Sequence, residues 1–111
     1  MQRGEVWWVD FEPSVGGEIK KQRPAIIISN DAANRHLNRV QVVPLTSNVE
    51  RIYPGEALVT VNDRLGKATA DQLTTVSKLR LKGRLGAISA ADLHAVERAV
   101  RLQLGLVDLI G

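Results

Sequence analysis

The stretch that decides the fold class is EVWWVDF, residues 5–11, whose β-branched and aromatic side chains predict a β-strand. A second strand is expected at residues 24–30, where three consecutive isoleucines suit a strand that is buried on both faces. Further strands are predicted at 40–46, 56–61 and 68–76, because short apolar runs are separated there by turn residues. The sequence therefore favours a mainly β protein.

Turns and loops separate the predicted strands. A polar loop follows residue 11, residues 31–39 are expected to be irregular, and turns are expected at 53–55 and 62–67. Pro44 lies inside the third predicted strand and indicates an edge position or a bulge, since proline donates no ladder hydrogen bond. Residues 78–85 alternate basic side chains with leucine or glycine, which fits either one strand or a turn followed by a strand from Lys82.

A helix is predicted near the C-terminal end of the sequence. Ser89 is a suitable N-cap, and Asp92 three residues later completes a pair that resembles a capping box. Gly105 fits the C-cap. Between them an apolar stripe recurs at helical spacing, formed by Leu93, Val96, Val100 and Leu104. We expect one domain over residues 1–111, a strongly bent antiparallel sheet or barrel closed by this helix.

Composition excludes several classes of protein. The 111 residues contain no cysteine, which rules out a disulfide scaffold, a cysteine-based zinc site and a cysteine nucleophile. No apolar run approaches the ~20 residues of a membrane span, and no secretory signal is visible, so we expect a cytoplasmic protein without membrane contact. The net charge is +3, with basic clusters at 20–39 and 78–84. These clusters are compatible with a polyanion partner and equally with two solvated faces.

Few residues suggest chemistry. Two distant histidines without cysteine do not make a transition-metal site, and neither a glycine-rich phosphate loop nor a serine elbow is present. What remains is the junction Gln22-Arg23-Pro24 and the strand end Thr46-Ser47-Asn48, polar clusters at the margins of neighbouring apolar strands. Taken alone, the first cluster is more typical of a surface arginine beside a strand start, and the second of a turn that closes a strand.

Together with their flanks, these clusters resemble the successive motifs of MazF/PemK toxins. The matching segments are RGEVW (3–7), VDFEP (9–13), GGE (16–18), QRPA (22–25), SND (29–31), VPLTSN (43–48), ADQL (70–73) and RLG (84–86). They cover nearly the whole chain in collinear order, followed by the predicted helix. No single motif is decisive, but their joint order and spacing are specific.

The resemblance implies an SH3-like barrel of the MazF/CcdB/Kid type that forms a homodimer. It also implies the toxin of a type II toxin–antitoxin system, a sequence-specific endoribonuclease that cuts single-stranded RNA without a metal or other cofactor. Arg23 and Thr46 match the family's catalytic pair. Most members leave a 2′,3′-cyclic phosphate and a 5′-hydroxyl. The expected partner is a cognate antitoxin whose acidic, flexible tail competes with RNA for the basic loop.

Contacts with RNA are expected from both basic and polar residues. The predicted set is Gly17, Glu18, Lys20, Lys21, Asn30, Arg35, Ser47, Asn48 and Gln72. Within it Lys20, Lys21 and Arg35, together with Arg39, suit backbone phosphates. Gln72 suits a base edge or, equally, a hydrogen bond within the sheet.

Two other functions are compatible with the same fold. One is a CcdB-like toxin that inhibits DNA gyrase and has no nuclease activity. The CcdB family lacks the arginine–threonine pair and contacts gyrase through a C-terminal tryptophan, whereas this sequence ends Leu109-Ile110-Gly111. The other is an SH3-like binding module without enzymatic activity.

Overall fold

A computed structural model describes residues 1–11 and 22–107 of the chain. Within these residues the strands are β1 (Glu5–Asp10), β2 (Gln22–Ile27), β3 (Arg39–Thr46), β4 (Glu56–Val61), β5 (Arg64–Thr69), β6 (Thr74–Ser77) and β7 (Leu81–Ala87). The helices are α1 (Asp31–His36) and α2 (Ala90–Gln103). No helix in this part of the chain is long and apolar enough to cross a membrane.

The strands form one antiparallel sheet in the order β4-β5-β3-β2-β1-β7, and β6 also pairs with β3. The sheet curls into a half-barrel, and α2 packs against one of its faces. This confirms the predicted fold class, a mainly β structure with a C-terminal helix.

Both faces of the central strands are buried, and neighbouring residues of a strand point alternately into the two cores. The core between the sheet and α2 contains Val6, Ile26, Val43 and Val59 from the sheet and Val96 and Ala99 from the helix. The core on the other face contains Val9, Ala25, Ile27, Val40, Val42, Val76 and Leu81. The isoleucines of β2 therefore fill two cores, as predicted from their continuous run.

Helix α2 begins and ends where its sequence predicts. The Ser89 hydroxyl accepts the Asp92 N–H at 3.1 Å, and Gly105, with φ of +73°, follows the C-cap. The predicted apolar stripe is wrong at Leu104, which is 54% exposed because the helix ends at Gln103. Ala99 takes the buried position instead.

The prediction of an irregular segment at 31–39 is wrong, because residues 31–36 form α1. The Asn30 side chain accepts the Ala33 N–H at 2.8 Å and so caps the helix. Asn34 is the only buried residue of α1, so the sequence carries no apolar periodicity to reveal it.

Two predicted boundaries between strands also differ. Asn62 and Asp63 both have positive φ, +50° and +64°, which is the backbone of a tight two-residue hairpin turn. The next strand therefore begins at Arg64 and ends at Thr69, and a 3-10 turn separates it from β6. For residues 78–85 the structure has the second of the two alternatives, a 3-10 turn at Lys78–Arg80 followed by a strand.

Pro44 was predicted to mark an edge or a bulge, but it lies in the interior of β3. It is paired with Ala25 of β2 on one side. On the other side, β3 pairs with β6 up to Val42 and with β5 from Leu45. Pro44 therefore falls in the gap where β3 changes partners, and no ladder donor is needed there.

Candidate active site

Arg23 and Thr46 lie on neighbouring strands at the same level of the sheet. The pairing of β2 with β3 sets Ala25 opposite Pro44. If this register is continued by two residues beyond the last paired position, it sets Arg23 opposite Thr46. Residues opposite each other point to the same face, so both side chains project to one side of the sheet. The two sequence motifs therefore meet because the strands that carry them are adjacent.

Two adjoining clefts open at this point and share Arg23, Leu45 and Thr46. The smaller cleft, about 260 Å³, is polar, and its other described lining residues are Pro44, Asn48, Glu56, Lys67, Thr69 and Gln72. The larger cleft, about 690 Å³, is more apolar, and its other described lining residues are Trp8, Gln22, Pro24, Ser47, Val61, Asn62, Arg64, Leu65, Gly66 and Leu85. A polar cleft beside a more apolar one suits a charged group next to a planar or hydrophobic one.

The strand end that follows Thr46 folds back on itself. The Thr46 hydroxyl accepts the Asn48 N–H at 3.3 Å, and the Asn48 side chain accepts the Glu50 N–H at 3.3 Å. These bonds turn the chain so that Ser47 and Asn48 line different clefts. Gln72 reaches the smaller cleft from the 3-10 turn that follows β5. Five predicted site residues are thus brought together: Arg23, Thr46, Ser47, Asn48 and Gln72.

Other predicted RNA-binding residues lie elsewhere. Asn30 caps α1 and Arg35 is exposed near the end of that helix, and neither belongs to the described lining of the two clefts. Arg39 is exposed at the start of β3. Gly17, Glu18, Lys20 and Lys21 fall outside the described residues. Their contacts with RNA stay predictions.

The polar cleft holds two charged residues that the sequence did not single out. Lys67 Nζ lies 3.3 Å from a carboxylate oxygen of Glu56 and donates to the carbonyl of Arg51 at 3.2 Å. The sequence predicts a turn at Lys67 and a strand start at Glu56 and assigns a functional role to neither. The signal that would have indicated Lys67 is β5 itself, since a strand beginning at Arg64 puts Lys67 and Thr69 on one face, whereas Glu56 is brought to the cleft only by the pairing of β4 with β5.

A second charged cluster supports the sheet behind the larger cleft. Burial alone would raise the pKa of the Glu5 carboxyl, but the Gln2 N–H, the Trp7 indole N–H, the N-terminal ammonium and Arg84 outweigh it and hold that pKa below its ordinary value. The Trp7 indole bond to Glu5 (2.9 Å) fixes that ring, which packs against the core containing Val9. Its neighbour Trp8 is 38% exposed and lines the larger cleft, so the adjacent tryptophans serve opposite faces.

Among the described residues no three His, Asp or Glu side chains gather as metal ligands. The fold and the clefts together define a small β-sheet protein with a cationic, hydroxyl-bearing site at the end of neighbouring strands.

Comparison with known proteins shows to which family the chain belongs. The model of the PemK-like, MazF-like toxins of type II toxin–antitoxin systems matches residues 2–104. The chain belongs to this family.

Several relatives are similar over nearly their whole length. Endoribonuclease MazF9 of Mycobacterium tuberculosis is 39% identical over 116 residues, covering 96% of this chain and 98% of the relative. The endoribonuclease toxin MazF of Escherichia coli K12 is 28% identical and covers 92% of each. A mycobacterial endoribonuclease solved in complex with its cognate antitoxin has a TM-score of 0.82 at 29% identity, covering 97% of this chain and 98% of that one. These relatives do not favour the CcdB-like alternative.

Proposed function

We propose that this chain is a toxin endoribonuclease that cuts single-stranded RNA at short sequence motifs in the cytoplasm and thereby inhibits translation and growth. The 2′-oxygen of the target nucleotide attacks the adjacent phosphorus and its proton passes to solvent water, while the bond to the 5′-oxygen breaks and that oxygen takes up a proton from solvent. The products are a 2′,3′-cyclic phosphate and a 5′-hydroxyl. Family membership and the curated endoribonucleases among the relatives support this activity.

The observation that carries the proposal is the meeting of Arg23 and Thr46 in clefts that both side chains line. Intramolecular attack needs no external nucleophile, so the protein's task is to hold the 2′-oxygen in line and to stabilise charge on the phosphorane. An arginine and a hydroxyl on adjacent strands supply fixed donors for this task.

Arg23 and Thr46 have different roles. The Arg23 guanidinium presents a planar set of N–H donors that match phosphate oxygens, and it donates a hydrogen bond to the departing 5′-oxygen. Because a guanidinium offers N–H donors and no acceptor, Arg23 does not accept the proton of the 2′-hydroxyl. Thr46 donates its hydroxyl hydrogen to a non-bridging oxygen.

The RNA is held on both sides of the scissile phosphate. Ser47, Asn48 and Gln72 line the clefts and have side chains that suit base edges, which single-stranded RNA exposes. Lys20, Lys21, Arg35 and Arg39 contribute salt-dependent contacts to backbone phosphates. Gly17, Glu18 and Asn30 complete the proposed contact set.

Two protein partners follow from the same family. The chain forms a homodimer, and a cognate antitoxin neutralises it with an acidic, flexible tail that competes with RNA for the basic surface. A structural neighbour solved with its own antitoxin supports this partner.

The test is cleavage of a long mixed-sequence RNA by the purified protein in EDTA. The wild-type chain is expected to cut at a few motifs and to leave 5′-hydroxyl ends, detected because they ligate to an adaptor only after phosphorylation. Arg23→Ala is expected to lower the rate on the order of 10²–10³-fold. Arg98→Ala is the matched control, since Arg98 is exposed on α2.

Two results would overturn the proposal. One is the absence of cleavage by the wild-type chain under any buffer condition, and the other is an Arg23→Ala rate equal to that of Arg98→Ala. DNA breaks that depend on gyrase would instead support the CcdB-like function.

A further inference from the structure

The smaller cleft contains a charged group for which the proposed reaction has so far no use. The Lys67 side chain is 11% exposed and the Glu56 side chain 16% exposed, so both charges of this pair are largely removed from water. Two acceptors face the Lys67 ammonium, the Glu56 carboxylate at 3.3 Å and the Arg51 carbonyl at 3.2 Å. An ammonium has three N–H donors, so the third is available to a ligand in the cleft.

The sheet register sets Lys67 beside Thr46 on the same face of the sheet. In the pairing of β3 with β5, Lys67 lies directly opposite Thr46. Arg23, Thr46 and Lys67 therefore form one lateral row across β2, β3 and β5, with neighbouring strands about 4.8 Å apart. All three side chains leave the same face and line the same polar cleft. The row places a cation on each side of the threonine hydroxyl.

Stability alone does not explain an ion pair that is largely shielded from water at this position. Removing two charges from water costs several kcal/mol per ion, and hydrophobic pairs of similar volume are often equally or more stabilising. Leu58 of β4 lies opposite Lys67, so a hydrophobic residue in place of Lys67 would already have an apolar neighbour. A lysine kept at the wall of an open cleft is better explained by a ligand.

The charge of the cleft fits one phosphodiester. Its charged described lining residues are Arg23, Lys67 and Glu56, two positive and one negative. The resulting single positive charge balances a phosphodiester in the ground state. During the attack the phosphorane gains further negative charge on its non-bridging oxygens, and an ammonium that already lines the cleft then binds more strongly.

We propose that Lys67 is a third catalytic residue, which donates a hydrogen bond to a non-bridging oxygen of the scissile phosphate and stabilises the phosphorane. Glu56 is a positioning residue that holds the ammonium in the row. This inference rests on the proposed ribonuclease function, because it concerns the same phosphate that Arg23 and Thr46 bind.

The experiment uses an RNA oligonucleotide that carries a cleavage site mapped in the mixed-sequence RNA. Single-turnover cleavage is measured with Lys67→Met, with Lys67→Arg and with the double variant Glu56→Met/Lys67→Met. The double variant replaces both charges at once and so leaves no unpaired buried ion. Lys82→Met is the matched control, since Lys82 is exposed on β7.

Both methionine variants are expected to slow cleavage on the order of 10²-fold relative to Lys82→Met, while Lys67→Arg retains most of the rate. Binding of the same oligonucleotide with a 2′-deoxy residue at the cleavage site is expected to weaken much less, because the contact strengthens in the transition state. Glu56→Gln is expected to tighten this binding, since it leaves the cleft one charge more positive.

If the Lys67–Glu56 pair has only a structural role, different results are expected. If the folded double variant cleaves within about twofold of Lys82→Met, Lys67 is not catalytic. If Lys67→Met and Glu56→Gln lower the melting temperature but leave the rate of the folded protein unchanged, the same conclusion holds. Arg23→Ala in the same assay separates the two proposals, because its failure to slow cleavage refutes the site as a whole.

Discussion

Asp92 offers a quantitative test of how the C-terminal helix holds the sheet. Its carboxylate lies in the first turn of α2 and accepts the N–H of Thr60, on strand β4, at 2.9 Å. The same strand carries Glu56, so this bond joins the helix to the hairpin that positions the Glu56–Lys67 pair. We expect Asp92→Ala to destabilise the fold without changing the chemistry.

The size of the effect follows from two contributions. A hydrogen bond to a charged group contributes about 1.5–3 kcal/mol, and the exposed setting of Thr60 puts this one at the lower end. A negative charge in the first turn of a helix adds about 0.3–1 kcal/mol. The sum is about 2 kcal/mol, which for a chain of 111 residues corresponds to a fall of roughly 8 °C in melting temperature.

The assay is thermal and urea unfolding at one fixed protein concentration, because dimer formation would make the melting temperature depend on concentration. Asp92→Asn keeps an oxygen acceptor but loses the charge, and it is expected to fall between Asp92→Ala and the wild type. Asp71→Ala, at an exposed position in the 3-10 turn, is the matched control. If the free energy of unfolding of Asp92→Ala lies within about 0.5 kcal/mol of that control, Asp92 does not hold the helix to the sheet.

Two further predictions concern the candidate active site and the dependence of the free energy of unfolding on pH in the acidic range. Thr46→Val removes the hydroxyl while keeping the branched shape of the side chain, so we expect cleavage to slow about 10²-fold and Thr46→Ser to retain most of the rate. Equal rates for Thr46→Val and the wild type would contradict the role of the hydroxyl. The pKa of Glu5 is lowered in the folded state, so its stabilisation is complete at neutral pH and is lost as the pH falls through the acidic range below the unfolded value. Glu5→Gln is therefore expected to lower the free energy of unfolding at pH 7 by about 1–2 kcal/mol and to flatten its decline between pH 5 and 3, as measured by urea unfolding at each pH.

Local sequence patterns predicted most of the fold. Strand β4 has the predicted bounds of residues 56–61, and the cap of α2 lies at Ser89, because in both cases the decisive interactions are close in sequence. Helix α1 was not predicted, since its stability comes from the Asn30 cap and not from an apolar stripe. The position of Pro44 was not predictable either, because it depends on which two strands pair with one side of β3.

The candidate site was predicted only in part, because some of its residues lie in local motifs and others are brought in by strand pairing. Arg23 and Thr46 lie within motifs that are recognisable along the chain, and the structure puts them on adjacent strands. Lys67 and Glu56 belong to no recognised motif, and only the pairing of β5 with both β3 and β4 brings them to the cleft. Residues that are brought together only by the register of paired strands cannot be predicted from local sequence patterns.

The pairing of β1 with β7 has a consequence for synthesis of the chain. Glu5 lies opposite Ala87, and the core beneath Val6 is completed by Val96 and Ala99 of α2. A ribosome that has made residues 1–67 has therefore produced Arg23, Thr46 and Lys67 but not the strand and helix that stabilise their sheet. Contacts so distant in sequence form only after the later segments emerge. The nascent chain thus cannot complete the sheet and core that hold these three residues in place until Val96 and Ala99 have been made.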